Sequence, residues 1–196
     1  MSANTILENR DRAFADVDGP IWLFGYGSLI FKADFPYTDC RPARIFGWQR
    51  RFWQGSHDHR GTQTYPGRVV TLIRAEGEEC AGMAYCIQRT ALENLDIREK
   101  NGYLRFREPM LFDDGTLQDG LVYIATEDNA AFLGNTQDHL IATRIANAVG
   151  PSGTNRDYLF KLAEALRNMN TVDKHVFELE ALVKNFLNSS NASLSK

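Results

Sequence analysis

Two kinds of hydrophobic spacing divide the chain. From Ile21 to about Ile124 the apolar runs are short, rich in Val, Ile, Phe, Trp and Tyr, and separated by Gly, Pro and Asp, which is the pattern of strands. The clearest are "IWLFGYG" at 21–27, "GRVVTLI" at 67–73, "CAGMAYCI" at 80–87, "REPMLF" at 107–112 and "LVYIAT" at 121–126. "DDGTLQDG" at 113–120 predicts a hairpin between the last two. From Asp138 the spacing turns helical and predicts helices at roughly 136–149, 155–169 and 173–187. On the last, Val172, Val176, Leu179, Val183 and Phe186 mark one face, as in a helix packed on a sheet. "GPSGTN" at 150–155 separates the first two helices, and the polar "NSSNASLSK" reads as a frayed end. With no internal repeat, the economical organisation is one α+β domain: an extension at 1–20, a body at 21–187 and a tail at 188–196.

One helix interrupts the strands. Thr90 and Glu93 have capping-box spacing, and Asn101-Gly102 supplies residues that tolerate a left-handed C-cap. Between them runs "ALENLDIREK". At about 100° per residue, Glu99 falls roughly 20° from Leu92, on the stripe of Leu95. Burial and the negative end of the helix dipole would both raise the pKa of such a carboxylate, which suits a general base near neutral pH. From the pattern alone, pairing with Arg98, Lys100 or Arg105 is the more ordinary outcome, because Asp96 and Ile97 interrupt the apolar face.

The break in the first strand, Gly25-Tyr26-Gly27-Ser28, also has two readings. Glycines allow a sharp turn and a close approach, leaving amides free to point at a carboxylate or oxyanion. The plainer alternative is a bulge at a barrel corner. A phosphate loop is excluded, since neither GxxxxGK[ST] nor GxGxxG is present.

A net charge of −3 gives no footprint for a nucleic-acid backbone or an anionic membrane. Three cysteines, Cys40, Cys80 and Cys86, form no CxxC pair and no metal-ligand spacing, so buried packing in a reducing, cytoplasmic compartment is expected. The first twenty residues lack a signal-peptide core, and no apolar run reaches the ~18 residues that span a bilayer. The sequons at Asn188 and Asn191 are therefore read as chance matches. "HDHR" at 57–60 offers a poor metal face, and "RRFW" at 50–53 reads as structural or pocket-lining, with Arg51 or Gln54 as minor candidates for anchoring a substrate.

Taken together, "LFGYGSLIFKADFPY" at 23–37, "RRFWQGSHDHRG" at 50–61, "PGRVVTLI" at 66–73, "LDIREKNGY" at 95–103, "LVYIAT" at 121–126 and "GPSGTNRDYLFKLAEALRN" at 150–168 resemble the ChaC family of γ-glutamylcyclotransferases. The resemblance runs over about residues 21–187 in the family's order. It implies the γ-glutamylcyclotransferase-like fold, a small mixed β-barrel with flanking helices. It also implies cleavage of glutathione to 5-oxoproline and cysteinylglycine, with no metal and no cofactor. The family's YGSL loop carries over to Tyr26, Gly27, Ser28 and Leu29, led in by Leu23, Phe24 and Gly25, as the substrate-binding segment. Glu99 matches the catalytic glutamate of a REKGGY stretch, and Tyr123 matches a pocket-lining tyrosine. Asn101 stands where the family usually has Gly, a change that the left-handed tolerance of Asn makes mild.

The implied chemistry is internal to the substrate. Its α-amine attacks the γ-carbonyl and closes a five-membered ring, so the protein must fold the substrate and take a proton from an ammonium of pKa about 8. Two alternatives stay open at this point: a non-catalytic regulatory or binding protein on the same scaffold, and a cyclotransferase for other γ-glutamyl amino acids or amines. Nothing in the sequence sets the oligomeric state.

Overall fold

The computed structural model describes residues 4–14 and 19–194, with side chains through Ser189. Five strands close into a barrel in the order β1-β3-β2-β4-β5: β1 Pro20–Gly25, β2 Asp39–Ser56, β3 Gly67–Gln88, β4 Tyr103–Phe112 and β5 Leu117–Ala125. The barrel is mixed. β1 runs antiparallel to β3, with Leu23 opposite Tyr85, and parallel to β5, with Leu23 opposite Leu121. β4 and β5 form an antiparallel hairpin in which Arg105 faces Tyr123. The turn of that hairpin is tighter than 113–120: Phe112 N–H donates to Thr116 O, Gly115 takes φ +83°, and residues 117–120 already belong to β5.

β2 and β3 depart most from the sequence reading. β2 is an 18-residue strand that includes "RRFW", and it was not foreseen. Its buried positions alternate through Ala43 and Ile45 before Gly47, then through Trp48, Arg50, Phe52 and Gln54 after it, with Gly55 and Ser56 buried at the end. Gly47, at φ +76°, inserts one residue and shifts the alternation by one, which hides the period-two signal. The two separate strands expected at 67–73 and 80–87 are one strand, β3, that passes through the exposed polar stretch 76–79 with Gly77 at φ +79°.

The chain divides into two compact units, residues 1–50 with 71–132, and residues 51–70 with 133–196. In the first, Phe14, Leu23, Leu29, Tyr85, Ile87, Leu92, Leu95, Leu121 and Tyr123 form one apolar cluster. In the second lie α3 Asp138–Asn147, a two-rung hairpin of β6 Val149–Gly150 and β7 Gly153–Thr154, α4 Asn155–Asn168 and α5 Lys174–Leu194. Val176, Leu179 and Val183 of α5 are fully buried; the helix packs against α3 and α4, and at its start His175 Nε2 accepts from Phe52 N–H of β2 at 3.1 Å. Val172 is 85% exposed and lies before the helix, whose first turn is capped by Asp173 Oδ1 accepting from Val176 N–H. The Asn/Ser run contains neither Gly nor Pro, so α5 continues to Leu194 instead of stopping at 187. None of the described helices is long and apolar enough to cross a membrane.

Candidate active site

β1 ends at Gly25, and the chain turns directly into a 3-10 turn, Ser28–Ile30. The glycine is required there: a Cβ on Gly25 would stand 2.5 Å from Leu29 Cβ. From the adjacent strand, a Cβ on Gly82 would meet the Gly25 carbonyl oxygen at 2.3 Å. The loop is thus packed tightly against β3 and against its own continuation.

Hydrogen bonds then fix it. The Tyr26 hydroxyl donates to Tyr123 O at 2.7 Å, and the buried Arg50 donates through Nε to Tyr26 O at 2.6 Å and through Nη2 to Ala81 O at 2.6 Å. Tyr85 OH donates to Leu29 O at 2.7 Å, and burial holds that phenol above its ordinary pKa. Leu23 and Phe24 are both buried, on opposite faces of β1, and Leu23 shares an apolar cluster with Leu29 of the following turn.

The helix with Glu99 is shorter than expected. A 3-10 turn at Arg89–Ala91 leads into α2, Leu92–Arg98, and no side chain caps its start, so the box foreseen at Thr90 and Glu93 is not formed. Glu99 is the C-cap residue, its amide donating to Leu95 O at 2.8 Å, and Gly102 at φ +88° then turns the chain into β4. The Glu99 side chain is 16% exposed and lies 3.3 Å from Arg98 Nε, the pairing that the sequence reading kept open. Arg98 also donates through Nη2 to Ser28 Oγ at 3.1 Å and to Lys32 O, and it pairs with Asp34. One guanidinium therefore joins the glycine loop to the carboxylate at the helix end.

Behind this joint is a buried polar network. Asp96 accepts from Arg105 Nε at 2.9 Å, pairs with Arg105 Nη2, and accepts from Tyr123 OH at 2.7 Å. Burial alone would lower the Arg105 pKa, but the hydrogen bond and charge of Asp96 outweigh it and hold the guanidinium above its ordinary value. Burial first, then the charge of Asp96, raises the Tyr123 phenol, so it stays protonated and donates.

A family model described as ChaC-like protein matches residues 21–186. The chain belongs to the ChaC-like family. It is 44% identical over 182 residues to γ-glutamylcyclotransferase 2-3 of Arabidopsis thaliana, covering 87% of this chain and 92% of that one. It is 42% identical over 172 residues to glutathione-specific γ-glutamylcyclotransferase 1 of Danio rerio, covering 82% and 87%. The fold matches the crystal structure of the selenomethionine-labelled γ-glutamyl cyclotransferase specific to glutathione from yeast. That match has a TM-score of 0.81 and 32% identity, and covers 86% of this chain and 97% of that one.

Within this ChaC-like chain Arg98 links Ser28 of the loop to Glu99, while a second set of bonds links Tyr26 to Tyr123 and Tyr123 to Asp96. Sequence reasoning named Arg98 and Arg105 as partners for Glu99 but missed the bond from Arg98 to Ser28 and the pairing of Arg105 with Asp96, and it gave no role to Arg50 or Asp96. A signal for Asp96 was present, since an acid between Leu95 and a strand-facing turn needs a cation, and Arg105 is the first one in the next strand. A cavity of about 550 Å³ opens beside the same pair; its lining includes Ile6, Arg10, Arg89, Leu92, Asp96 and Arg105, but neither Glu99 nor residues 26–29. Elsewhere, Gln54 is fully buried and Arg51 half-buried in β2. His59 Nδ1 shares a hydrogen bond with Ser152 Oγ at 3.0 Å, and no group of three potential metal ligands stands together among the described residues. The three cysteines are free; Cys80 is buried as expected, whereas Cys40 and Cys86 are only half-buried.

Proposed function

We propose that this chain is a γ-glutamylcyclotransferase that cleaves glutathione to 5-oxoproline and cysteinylglycine, with Glu99 as general base and then general acid. The observation that carries the assignment of the site is the Arg98 bridge, which ties Ser28 of the glycine loop to the Glu99 carboxylate. The relatives named as glutathione-specific γ-glutamylcyclotransferases support the reaction and favour an enzyme over a binding protein.

The first amides of a 3-10 turn have no partner within the turn, so those near Gly27 and Ser28 are suited to hold the substrate α-carboxylate or the developing oxyanion. Tyr26, anchored at both its hydroxyl and its carbonyl, keeps those amides in place. Leu23, Phe24, Gly25, Leu29 and Tyr123 complete the binding segment. Glu99 accepts a proton from the α-ammonium, the freed amine attacks the γ-carbonyl carbon, and the γ-amide C–N bond breaks as the departing nitrogen takes that proton from Glu99; the attacking nitrogen sheds its second proton as the lactam forms, and the dipeptide amine takes it up and leaves as an ammonium. No cofactor enters this sequence, and the functional body is residues 21–187. Cytoplasmic residence belongs to the same proposal, in keeping with three free cysteines.

The test is to incubate the purified protein with reduced glutathione, and separately with γ-glutamyl-alanine, and to detect 5-oxoproline and the released amine by mass spectrometry. Product from glutathione alone is expected. Product from both would widen the substrate class, and product from neither would overturn the enzyme assignment.

A further inference from the structure

Residues 4–14 lie before the stretch that matches the family, which begins at residue 21. They nevertheless bury Thr5, Asn9 and Phe14, and Asn9 has no exposed surface at all. Asn4 forms an antiparallel bridge with Asn101. Thr5 N–H donates to Lys100 O at 3.0 Å, and its hydroxyl lies 2.8 Å from Tyr103 O and 3.2 Å from Lys100 O. Asn9 Nδ2 donates to Tyr103 O at 3.1 Å, while its Oδ1 accepts from Arg105 N–H at 2.9 Å. The side-chain amide of Asn9 thus serves β4 as the peptide group of a neighbouring strand would. Phe14 anchors the far end in the apolar cluster with Leu95 and Tyr123, and Arg107 stacks 4.2 Å from its ring centre.

These bonds fall on residues 100–105, from the residue after Glu99 to the arginine that holds Asp96. The need is physical. α2 has only seven residues, too few for a stable helix on its own, and the last carbonyls of any helix lack intrahelical partners. Glu99 sits where such a helix would fray. With the following turn tied to Thr5 and Asn9, the C-cap residue has one direction.

We propose that residues 4–14 are a strap that aims the Glu99 carboxylate, with Thr5 and Asn9 as positioning residues for the reaction. The proposal rests on the reading of Glu99 as the base. A misplacement of about 1 Å can cost up to roughly 100-fold in rate, whereas substrate affinity need not change if Glu99 acts only in the chemical step.

The test is steady-state kinetics on glutathione for Asn9→Ala, Thr5→Val, Thr5→Ser and Glu99→Gln, with folding checked by circular dichroism and amide hydrogen exchange followed over residues 99–105. Asn9→Ala and Thr5→Val are expected to lower kcat by about tenfold or more with KM within about twofold, and to speed exchange at 99–105. Thr5→Ser keeps the hydroxyl and should retain the wild-type kcat. Wild-type kcat in folded Asn9→Ala and Thr5→Val, beside an inactive Glu99→Gln, would overturn the strap while leaving the base in place. A fully active Glu99→Gln would overturn the base assignment and the strap's purpose with it. If Asn9→Ala does not fold, Thr5→Val, which only exchanges a hydroxyl for a methyl, decides the question.

Discussion

Two helices in this molecule each bury a carboxylate against an arginine, and they do so in opposite ways. Glu180 on α5 is 5% exposed, but its partners Arg167 and Lys184 are 50% and 56% exposed, so the charges meet at the protein surface. Asp96 on α2 is 4% exposed, and its partner Arg105 is equally enclosed, with the Tyr123 hydroxyl as a further donor. The first pair seals a helix–helix joint at low cost because water still solvates the cations. The second takes two full charges out of water, which costs several kcal/mol per ion and is repaid only by near-ideal geometry. Such a pair is a poor stabiliser and a good ruler, and it is one turn of helix from Glu99. The same contrast separates an element that only holds the fold from one that holds a reacting group.

Asp96→Ala should show the largest stability effect, about 3–5 kcal/mol in denaturant unfolding, because it strands the buried Arg105. Joint replacement, Asp96→Leu with Arg105→Met, should recover much of that stability but not the activity, since the reference points for Glu99 are gone. Tyr123→Phe removes one hydrogen bond to a charged group and should cost about 1.5–3 kcal/mol. Glu180→Gln should cost only about 1 kcal/mol and lose its effect in high salt, as expected of partners open to solvent.

Acid titration separates the pairs further. Burial would raise the Glu180 pKa, but hydrogen bonds from Arg167 and Lys184 outweigh it and hold the carboxyl below its ordinary 4.5. A depressed folded pKa means that the stabilisation is complete above pH 4.5 and fades as the pH falls through the folded value. The stability gap between wild type and Glu180→Gln should therefore be constant at neutral pH and close below about pH 4.5. A gap unchanged in acid would contradict the pairing.

The difference between α5 and α2 also explains what could be read from the sequence. α5, with Val176, Leu179 and Val183 on one face, announces itself by periodicity; only Val172 was wrongly counted on that face, and the helix runs past 187. α2 does not, because a buried acid occupies a position where the pattern calls for an apolar residue, and Asp96 was read as a flaw in the face. The glycine loop and Glu99 were visible as residue types, and Arg98 as a partner for Glu99; the reach of that arginine to the loop was not, since it spans contacts 64 to 70 residues away. Likewise β2 was hidden by the bulge at Gly47, which no local rule predicts. Thr5 and Asn9 look like ordinary polar residues of a leading segment, and their role exists only once β4 is in place.

The most direct test of the central claim is the rate of 5-oxoproline formation from glutathione by wild type and by Glu99→Gln, compared at matched thermal stability. Glutamine keeps the size of the side chain and removes its basicity, so a folded variant should lose roughly 100- to 10,000-fold in kcat. A folded Glu99→Gln that releases 5-oxoproline at the wild-type rate would contradict it.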